Sequence, residues 1–565
     1  MKGSEAIIRA LLEENVEYIF GFPGGAVMPI YDEFLEFKDD LRHILVRHEQ
    51  AAAHAADGYA KVTGRAGVCL ATSGPGATNL VTGIMTAYMD SVPMIALAGN
   101  VPTSLLGNDA FQESDMMGIT MPITKHNFQI RDPNTIHTKI KKAFTIAQEG
   151  RPGPVYIDLP KDCQTKEVTK ETNNFKIAGF KPVFEGHPKQ IMKAAEMILK
   201  AERPVILAGG GILISNASPE LSKLVEMLNI PVTTTFMGKS CFPESHPLCL
   251  GMLGMHGRKV ANYAIGNADL IINLGCRFSD RITGDLETFA SQAKIIHVDI
   301  DSAEIGKNVK IDLPIVGDAK KVLAQLIKAI EAKAGKHKEW TEKIKRFIKE
   351  CDCEIDISGS PLDPRKIMSE FNRVLKKDDI LVTGTGQHQM FAGHFVKREK
   401  PRTFLSSGGA GTMGYGFPAA MGAKIAAPDS QVFDIDGDGS FAMVIQELAT
   451  CKEENIKVVP VIMNNAYLGM VRQWMELFFD KRYSGVHLKR TPDFAKVAEA
   501  YSLEGVTVER DSEIAEAFDR AYKADSTVVL DVITQEEANI LPMFPAGARN
   551  TDMFGNCIQK RGKLF

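Results

Sequence analysis

The chain reads as α/β, with three doubly wound parallel-sheet domains in tandem. Three observations predict this. Short apolar runs alternate with stretches of helical length, two polar or charged intervals divide the runs into three series, and glycine-rich or acidic motifs stand where runs end. Such alternation is the pattern of a parallel sheet covered by helices on both faces, and ligands of such sheets bind beyond the carboxyl ends of the strands. At roughly 100 to 200 residues per domain, 565 residues are too many for one core.

The first series, residues 1–168, opens with "GSEAIIRALLEENV" (Gly3 to Val16), a helix of apolar spacing with Ser4 placed as its N-cap. A helix that begins so early leaves no room for a signal or transit peptide. Strands follow at "YIFGFPGG", "LRHILVRH", "GVCLATSG" and "PMIALAGN". A polar stretch from Thr165 to His187, including "ETNN", reads as a linker. The second series, 188–330, has strands at "RPVILAGGG", "PVTTTF", "ADLIINLG" and "AKIIHVDID" and ends in the charged segment Glu331 to Glu350. The third, 361–540, has strands at "DDILVTG", "RTFLSSGG", "SQVFDIDGDG", "IKVVPVIMNN" and "STVVLDVIT", and residues 541–565 read as a tail.

Composition excludes several classes of function. With 66 basic against 70 acidic residues, the chain offers no polyanion-binding excess, which argues against nucleic acid. Nine cysteines without a CxxC pair, the nearest being Cys351-Asp352-Cys353, read as reduced core thiols and not as disulfides or a zinc site. No apolar run approaches the ~20 residues that span a bilayer. The expectation is a cytoplasmic, prokaryotic enzyme with no membrane partner.

The stretch "DIDGDGSF" (Asp434 to Phe441) begins like a calcium loop, but the twelfth position, where an EF-hand needs a bidentate glutamate, is Ile445. Gly437-Asp438-Gly439-Ser440 instead joins a buried strand to a helix, where small residues and helix N-terminal N–H groups suit an anion such as a diphosphate. Some two dozen residues on, Asn464 and Asn465 end another apolar run. Side-chain oxygens of Asp438 and Asn465, a main-chain carbonyl near Tyr467 and two phosphate oxygens can complete an octahedral Mg²⁺ site with water.

A GDG followed by NN at this distance resembles the thiamine-diphosphate motif of thiamine-dependent enzymes, and "RHEQAAAHAADGYAKVTGR" (Arg47 to Arg65) resembles the segment that presents a glutamate, here Glu49, to the cofactor's aminopyrimidine. Nearly the whole chain is similar to the catalytic large subunit of acetohydroxyacid (acetolactate) synthases, through "GFPGGA", "SGPGATN", "DAFQE", "TKHN", "GRPGPVYIDLPKD", "GMHG", "GCRFSDRITG", "HVDIDSAEIGKN", "TGQHQMFA", "MGYGFPAAMGAK" and "NNAYLGMVRQW".

The resemblance implies a pyrimidine-binding first domain, a central FAD-binding domain and a diphosphate- and Mg²⁺-binding third domain. It implies a homodimer or homotetramer with active sites at the subunit interface, and a separate small regulatory subunit. The activity it implies is decarboxylation of pyruvate on thiamine diphosphate and condensation of the two-carbon unit with pyruvate or 2-ketobutyrate. The products are 2-acetolactate or 2-aceto-2-hydroxybutyrate, in branched-chain amino acid biosynthesis.

By matched position, Glu49 is the acid at the pyrimidine N1′, with Gly411 and Met413 against the amino group and the bend of the cofactor. Gln387, His388, Gly437, Asp438, Gly439, Ser440, Asn465, Tyr467 and Gly469 serve the diphosphate and its metal. Trp474 favours the larger acceptor, Arg281 takes its carboxylate, and Phe111, Gln112 and Lys161 line the substrate channel. Arg151, His256, Arg277, Asp299 and Asp318 fall at FAD positions, which Gly209-Gly210-Gly211 supports only weakly because it lacks the GxGxxG spacing. Thr103, Ser104 and Ser279 depart from the pattern, as does Tyr467 where histidine is common.

Four rival readings are weighed on the same residues. Trp474 with Arg281 favours carboligation over a pyruvate oxidase, and the flavin positions argue against an FAD-independent catabolic enzyme. The lack of a clean GxGxxG argues against a nicotinamide dehydrogenase, and the intact Glu49, Asp438 and Asn465 against a non-catalytic relative.

Overall fold

The computed structural model describes residues 1–170, 175, 177–330, 337–350 and 362–555. The "ETNN" segment, Cys351-Asp352-Cys353, residues 331–336 and the last ten residues lie outside the described residues. The cysteines that are described are free and buried.

Three six-stranded sheets, parallel throughout, are built in chain order. The first holds β1 (Tyr18–Gly21), β2 (Arg42–Leu45), β3 (Gly67–Ala71), β4 (Met94–Asn100), β5 (His126–Gln129) and β6 (Pro154–Pro160). The second holds β7 (Pro204–Ala208), β8 (Val232–Thr234), β9 (Cys249–Met252), β10 (Leu270–Leu274), β11 (Lys294–Asp299) and β12 (Leu313–Val316). The third holds β13 (Ile380–Thr383), β14 (Phe404–Leu405), β15 (Val432–Gly437), β16 (Val459–Asn464), β17 (Glu504–Val508) and β18 (Val528–Ile533).

The first and third sheets repeat one order, β2-β1-β3-β4-β6-β5 and β14-β13-β15-β16-β18-β17. The second runs β9-β8-β7-β10-β11-β12, which is the 3-2-1-4-5-6 order of dinucleotide-binding sheets with its reversal between β7 and β10. Central strands such as β3, β4, β7 and β10 are buried along their whole length, as continuous apolar runs require.

Five strands escape the sequence reading for identifiable reasons. The partly exposed β5 and β17 mix polar with apolar residues, and the partly exposed β12 is four residues long with a proline at its second position. β9 contains Gly251 and pairs with β8 through an irregular register, and β6 carries Asp158 between two prolines.

Other local expectations are corrected. The first helix is Gly3–Glu13 with Lys2 at its N-cap; Ser4 lies inside it and its hydroxyl donates to Glu33. The helix Lys338–Glu350, outside the expected 188–330 unit, packs on the central domain, burying Trp340 and Ile344 and stacking Phe347 on Tyr263 at 4.2 Å. The expected tail is held down over its described part, with Leu541, Met543 and Phe544 buried. Among the described residues no helix is long and apolar enough to cross a membrane.

The first and third domains share one core. Helix Glu49–Thr63 crosses helix Gly416–Ala426 at backbone distance: a Cβ on Gly58 would lie 2.0 Å from the Ala419 carbonyl oxygen, and one on Gly422 1.9 Å from that of Ala55. Alanines flank this crossing and are fully buried. Small residues on both helices therefore decide how the outer domains dock.

Candidate active site

The second and third sheets turn strand ends toward one cavity of about 1040 Å³. At its floor β15 ends at Gly437 and passes directly into the turn Asp438–Phe441. Asp438 is 2 % exposed, and its Oδ2 has no hydrogen-bond partner. Burial pushes its carboxyl up to about 7, although N–H groups of Gly439 and Ala466 pull it down. A buried carboxyl with a vacant oxygen is what a cation site requires before the cation arrives.

The neighbouring strand β16 supplies the second oxygen. Asn464 is occupied, its Nδ2 donating to Asp531 at 3.0 Å, whereas Asn465 faces the cavity and accepts only the Tyr467 N–H at 3.1 Å. A Cβ on Gly469 would fall 2.2 Å from Gln387 Oε1 and 2.8 Å from Asn465 Nδ2, so glycine leaves room for both side chains. No group of three or more His, Cys, Asp or Glu suited to a metal occurs among the described residues. The donor set of Asp438, Asn465 and a carbonyl fits a hard cation that also takes ligand oxygens.

Gln387 Nε2 donates to Gln473 Oε1 at 2.7 Å and to the Ala538 carbonyl at 2.9 Å, tying β13's end to the C-terminal segment. His388 lies 3.3 Å from Asp436 and shields Gly437. Ser440 Oγ accepts the Gly414 N–H at 2.9 Å. That bond joins the GDGS turn to the loop in which Gly411 sits in the left-handed region (φ +63°) and Met413 reaches toward Gly439.

The central sheet contributes the opposite wall. His256, Arg277, Asp299 and Asp318 line the same cavity, together with Gly210 and Gly211 at the sheet's reversal point, and Arg151 joins them from the first domain, just before β6. Gly209 and Gly211 serve chiefly to let this loop pack on Gly275. Burial raises Asp299 to about 6. His256 is driven down to about 3 by burial, with His394 and Arg281 adding to it, and its Nε2 has no partner. Arg151 is already engaged by Asp301 and Glu304 at 3.1 and 2.8 Å. The cavity wall thus carries a neutral imidazole, ribose-type acids and glycines, which fit an FAD.

Between these halves stand Arg281 and Trp474. The Arg281 side chain is 63 % exposed; Asp280 lies 3.6 Å away and its Nη1 touches Met255 Sδ at 3.6 Å. Trp474 packs on Phe478 at 5.1 Å and on the cluster of Met255, Leu541, Met543 and Phe544. The sequence reading missed Met255 and the C-terminal residues. Met255 stood inside the matched "GMHG", but nothing local marks residues 541–544.

Four expected residues are absent from this cavity: Glu49, Phe111, Gln112 and Lys161. They stand after the carboxyl ends of β2, β4 and β6 in the first domain. Glu49 opens its helix, is buried, and receives the Asn79 Nδ2 at 3.0 Å. Gln112 (φ +58°) lies against Gly74 in the adjoining turn, while Phe111 is 87 % exposed. Asn79 is a further residue missed, although it ends the matched "SGPGATN".

Among the departures, Thr103 donates to Asp162 through both its N–H and hydroxyl, at 2.8 and 2.7 Å. Ser279 is the N-cap of the turn that carries Arg281. The ring of Tyr467 stacks on His487 at 4.6 Å.

Residues 1–119, 191–326 and 384–532 match, respectively, the N-terminal TPP binding domain, the central domain and the C-terminal TPP binding domain of thiamine pyrophosphate enzymes. A protein of Methanocaldococcus jannaschii named "Probable acetolactate synthase large subunit" is 54% identical over 98% of this chain and 95% of its own length. The acetolactate synthase large subunit of Corynebacterium glutamicum is 48% identical over 98% and 90%, and that of Buchnera aphidicola 44% over 98% of both. On its three-domain match and this full-length similarity, the chain belongs to the acetolactate synthase large-subunit family of thiamine pyrophosphate enzymes.

Proposed function

We propose that the chain is an acetohydroxyacid synthase that condenses two 2-keto acids: pyruvate as donor, and pyruvate or 2-ketobutyrate as acceptor. The observation that carries the reading is one cavity containing a cation-ready Asp438, a carboxylate-ready Arg281 and an apolar wall at Trp474. Bound thiamine diphosphate supplies the nucleophilic carbon and the electron sink that decarboxylation needs.

The chain's own residues then divide the work. Asp438, Asn465 and the Tyr467 carbonyl would hold Mg²⁺, and Gln387, His388, Gly437, Gly439, Ser440 and Gly469 would surround the diphosphate. The Gly411 carbonyl would accept a hydrogen bond from the cofactor's amino group, and the Met413 side chain would pack against the cofactor. Glu49 of the partner subunit would hold a proton toward the cofactor's pyrimidine N1′. Phe111, Gln112 and Lys161 of the partner subunit enclose the substrate channel. Arg281 binds the acceptor's carboxylate and Trp474 its alkyl group.

Arg151, His256, Arg277, Asp299 and Asp318 would hold FAD along the central wall. Carboligation transfers no net electrons, so the flavin is mainly structural. The absence of Glu49 from the cavity that holds Asp438 supports a homodimer or homotetramer. The relatives' designation as large subunits supports a small regulatory partner.

The decisive assay supplies pyruvate, thiamine diphosphate, Mg²⁺ and FAD, and follows acetolactate and oxygen. Acetolactate should form without oxygen uptake, and Glu49→Ala should abolish it. Stoichiometric oxygen consumption, or full turnover by Glu49→Ala, would overturn the reading.

A further inference from the structure

Gly411 and Met413 belong to no regular element; they lie in the loop between β14 and the helix Gly416–Ala426. A loop with a residue in the left-handed region keeps one shape only when other parts of the fold satisfy its backbone. Here the first domain of the same chain does so.

Asp90, the last residue of helix Val81–Asp90, has a fully buried side chain. Its Oδ1 accepts the Gly409 N–H at 2.7 Å and its Oδ2 the Gly408 N–H at 3.2 Å. A Cβ on Gly409 would meet Met89 at 2.8 Å and Asp90 Oδ1 at 3.0 Å, so this approach requires glycine.

Lys61 grips both ends of the loop. Its ammonium donates to the Ser406 carbonyl at 2.8 Å and to the Tyr415 hydroxyl at 3.0 Å, and lies 3.0 and 3.1 Å from Asp57 and Asp90. The Tyr415 hydroxyl in turn donates a hydrogen bond to Asp57 at 2.7 Å. The hydroxyls of Thr86 and Thr412 meet at 2.7 Å beside Met413. Burial alone would push Lys61 down, but Asp57, Tyr415 and Asp90 outweigh it and keep it charged. Two carboxylates and an ammonium withdrawn from water add little net stability. What they supply is direction: Asp57, Lys61 and Asp90 each bond to groups of the segment from Ser406 to Tyr415.

We propose that Asp90 and Lys61 are positioning residues that hold the Ser406–Met413 segment in the conformation presenting the Gly411 carbonyl and the Met413 side chain to the cofactor. The inference rests on the thiamine diphosphate reading above. It means that one subunit's first domain serves two sites: Glu49 reaches the partner's cofactor while Asp90 and Lys61 shape the chain's own.

The test compares full-length wild type with Asp90→Asn, Lys61→Arg and Thr86→Val. Readouts are melting temperature, amide exchange of residues 406–414 without cofactor, thiamine diphosphate affinity, and kcat and KM for pyruvate. Asp90→Asn should speed exchange at Gly408 and Gly409 by about tenfold or more. It should lower kcat by about ten- to a hundredfold, because misplacement by ~1 Å costs that much, with KM for pyruvate changed less than about twofold. Lys61→Arg, which keeps the charge, should lose less of the rate than Asp90→Asn. Unchanged exchange or unchanged kcat in a folded Asp90→Asn would overturn the proposal. Should that variant fail to fold, Thr86→Val decides: a lower kcat at wild-type melting temperature supports positioning, and a wild-type kcat refutes it. If wild type neither binds thiamine diphosphate nor forms acetolactate, the functional reading fails, and exchange in the cofactor-free protein still reports whether Asp90 holds the loop.

Discussion

Asp438 shows how burial prepares a side chain for a ligand. In the cation-free protein its carboxyl titrates at about 7, above the ~3.9 of an unfolded aspartate. The folded chain therefore binds this proton more tightly, and the associated stability is fully present below pH ~4 and lost as pH rises through about 7. The shift corresponds to at most about 4 kcal/mol. Chemical denaturation of the cation-free protein should show stability falling between about pH 4 and 7, with a shallower slope in Asp438→Asn. Added Mg²⁺ and thiamine diphosphate should restore wild type and not the variant. An unchanged slope in Asp438→Asn would transfer the effect to Asp434, Glu447 and Asp531, whose carboxyls burial also raises. Trp474 makes a second residue-scale prediction. Trp474→Leu removes the flat wall packed on Phe478 and Met255, and should reduce preference for 2-ketobutyrate over pyruvate by about ten- to a hundredfold, since a methylene contact is worth ~1–3 kcal/mol. Competition between the two acceptors measures it, and a retained product ratio would move specificity elsewhere.

At the scale of elements, the crossing of Glu49–Thr63 with Gly416–Ala426 controls where functional side chains fall. One helix begins with Glu49 and the other follows the Gly411–Met413 loop, so a change in their separation moves both. Glu447, itself buried, reinforces this seat by accepting the Arg47 N–H through both oxygens at 3.0 and 3.1 Å, just before Glu49. Gly422→Ala places a methyl 1.9 Å from the Ala55 carbonyl oxygen, and backbone cannot yield as a side-chain tip can. The variant should lose about 1–3 kcal/mol or more, with activity falling alongside melting temperature. A wild-type melting curve would show that the helices separate at little cost.

For the whole molecule, two half-sites on one chain that do not share a cavity predict complementation. Glu49→Ala and Asp438→Asn should each be inactive alone. Mixed and reassembled, they should recover about a quarter of the wild-type rate, as random dimers would carry one intact site in half of the assemblies. No recovery after verified subunit exchange would place Glu49 and Asp438 in the same chain's site. The matching strand orders of the outer sheets bear on this scale as well. In both outer domains the expected cofactor residues follow the carboxyl ends of strands, and the central domain has a different strand order.

Local chemistry determined much of this protein. Buried strands announce themselves as unbroken apolar runs, and Gly437-Asp438-Gly439 with Asn465 are legible because a turn that must expose backbone and one acid tolerates few residue types. The half-exposed β5, β12 and β17 were hidden, since edge position averages their pattern toward that of loops. Distance in the chain hid the rest. That Asp90 holds Gly409, that Leu541 to Phe544 cover Trp474, and that Glu49 stands apart from Asp438 depend on how three separately folded sheets dock. Docking is set by contacts between residues hundreds of positions apart, such as Gly58 against Ala419, and no window of sequence contains both partners.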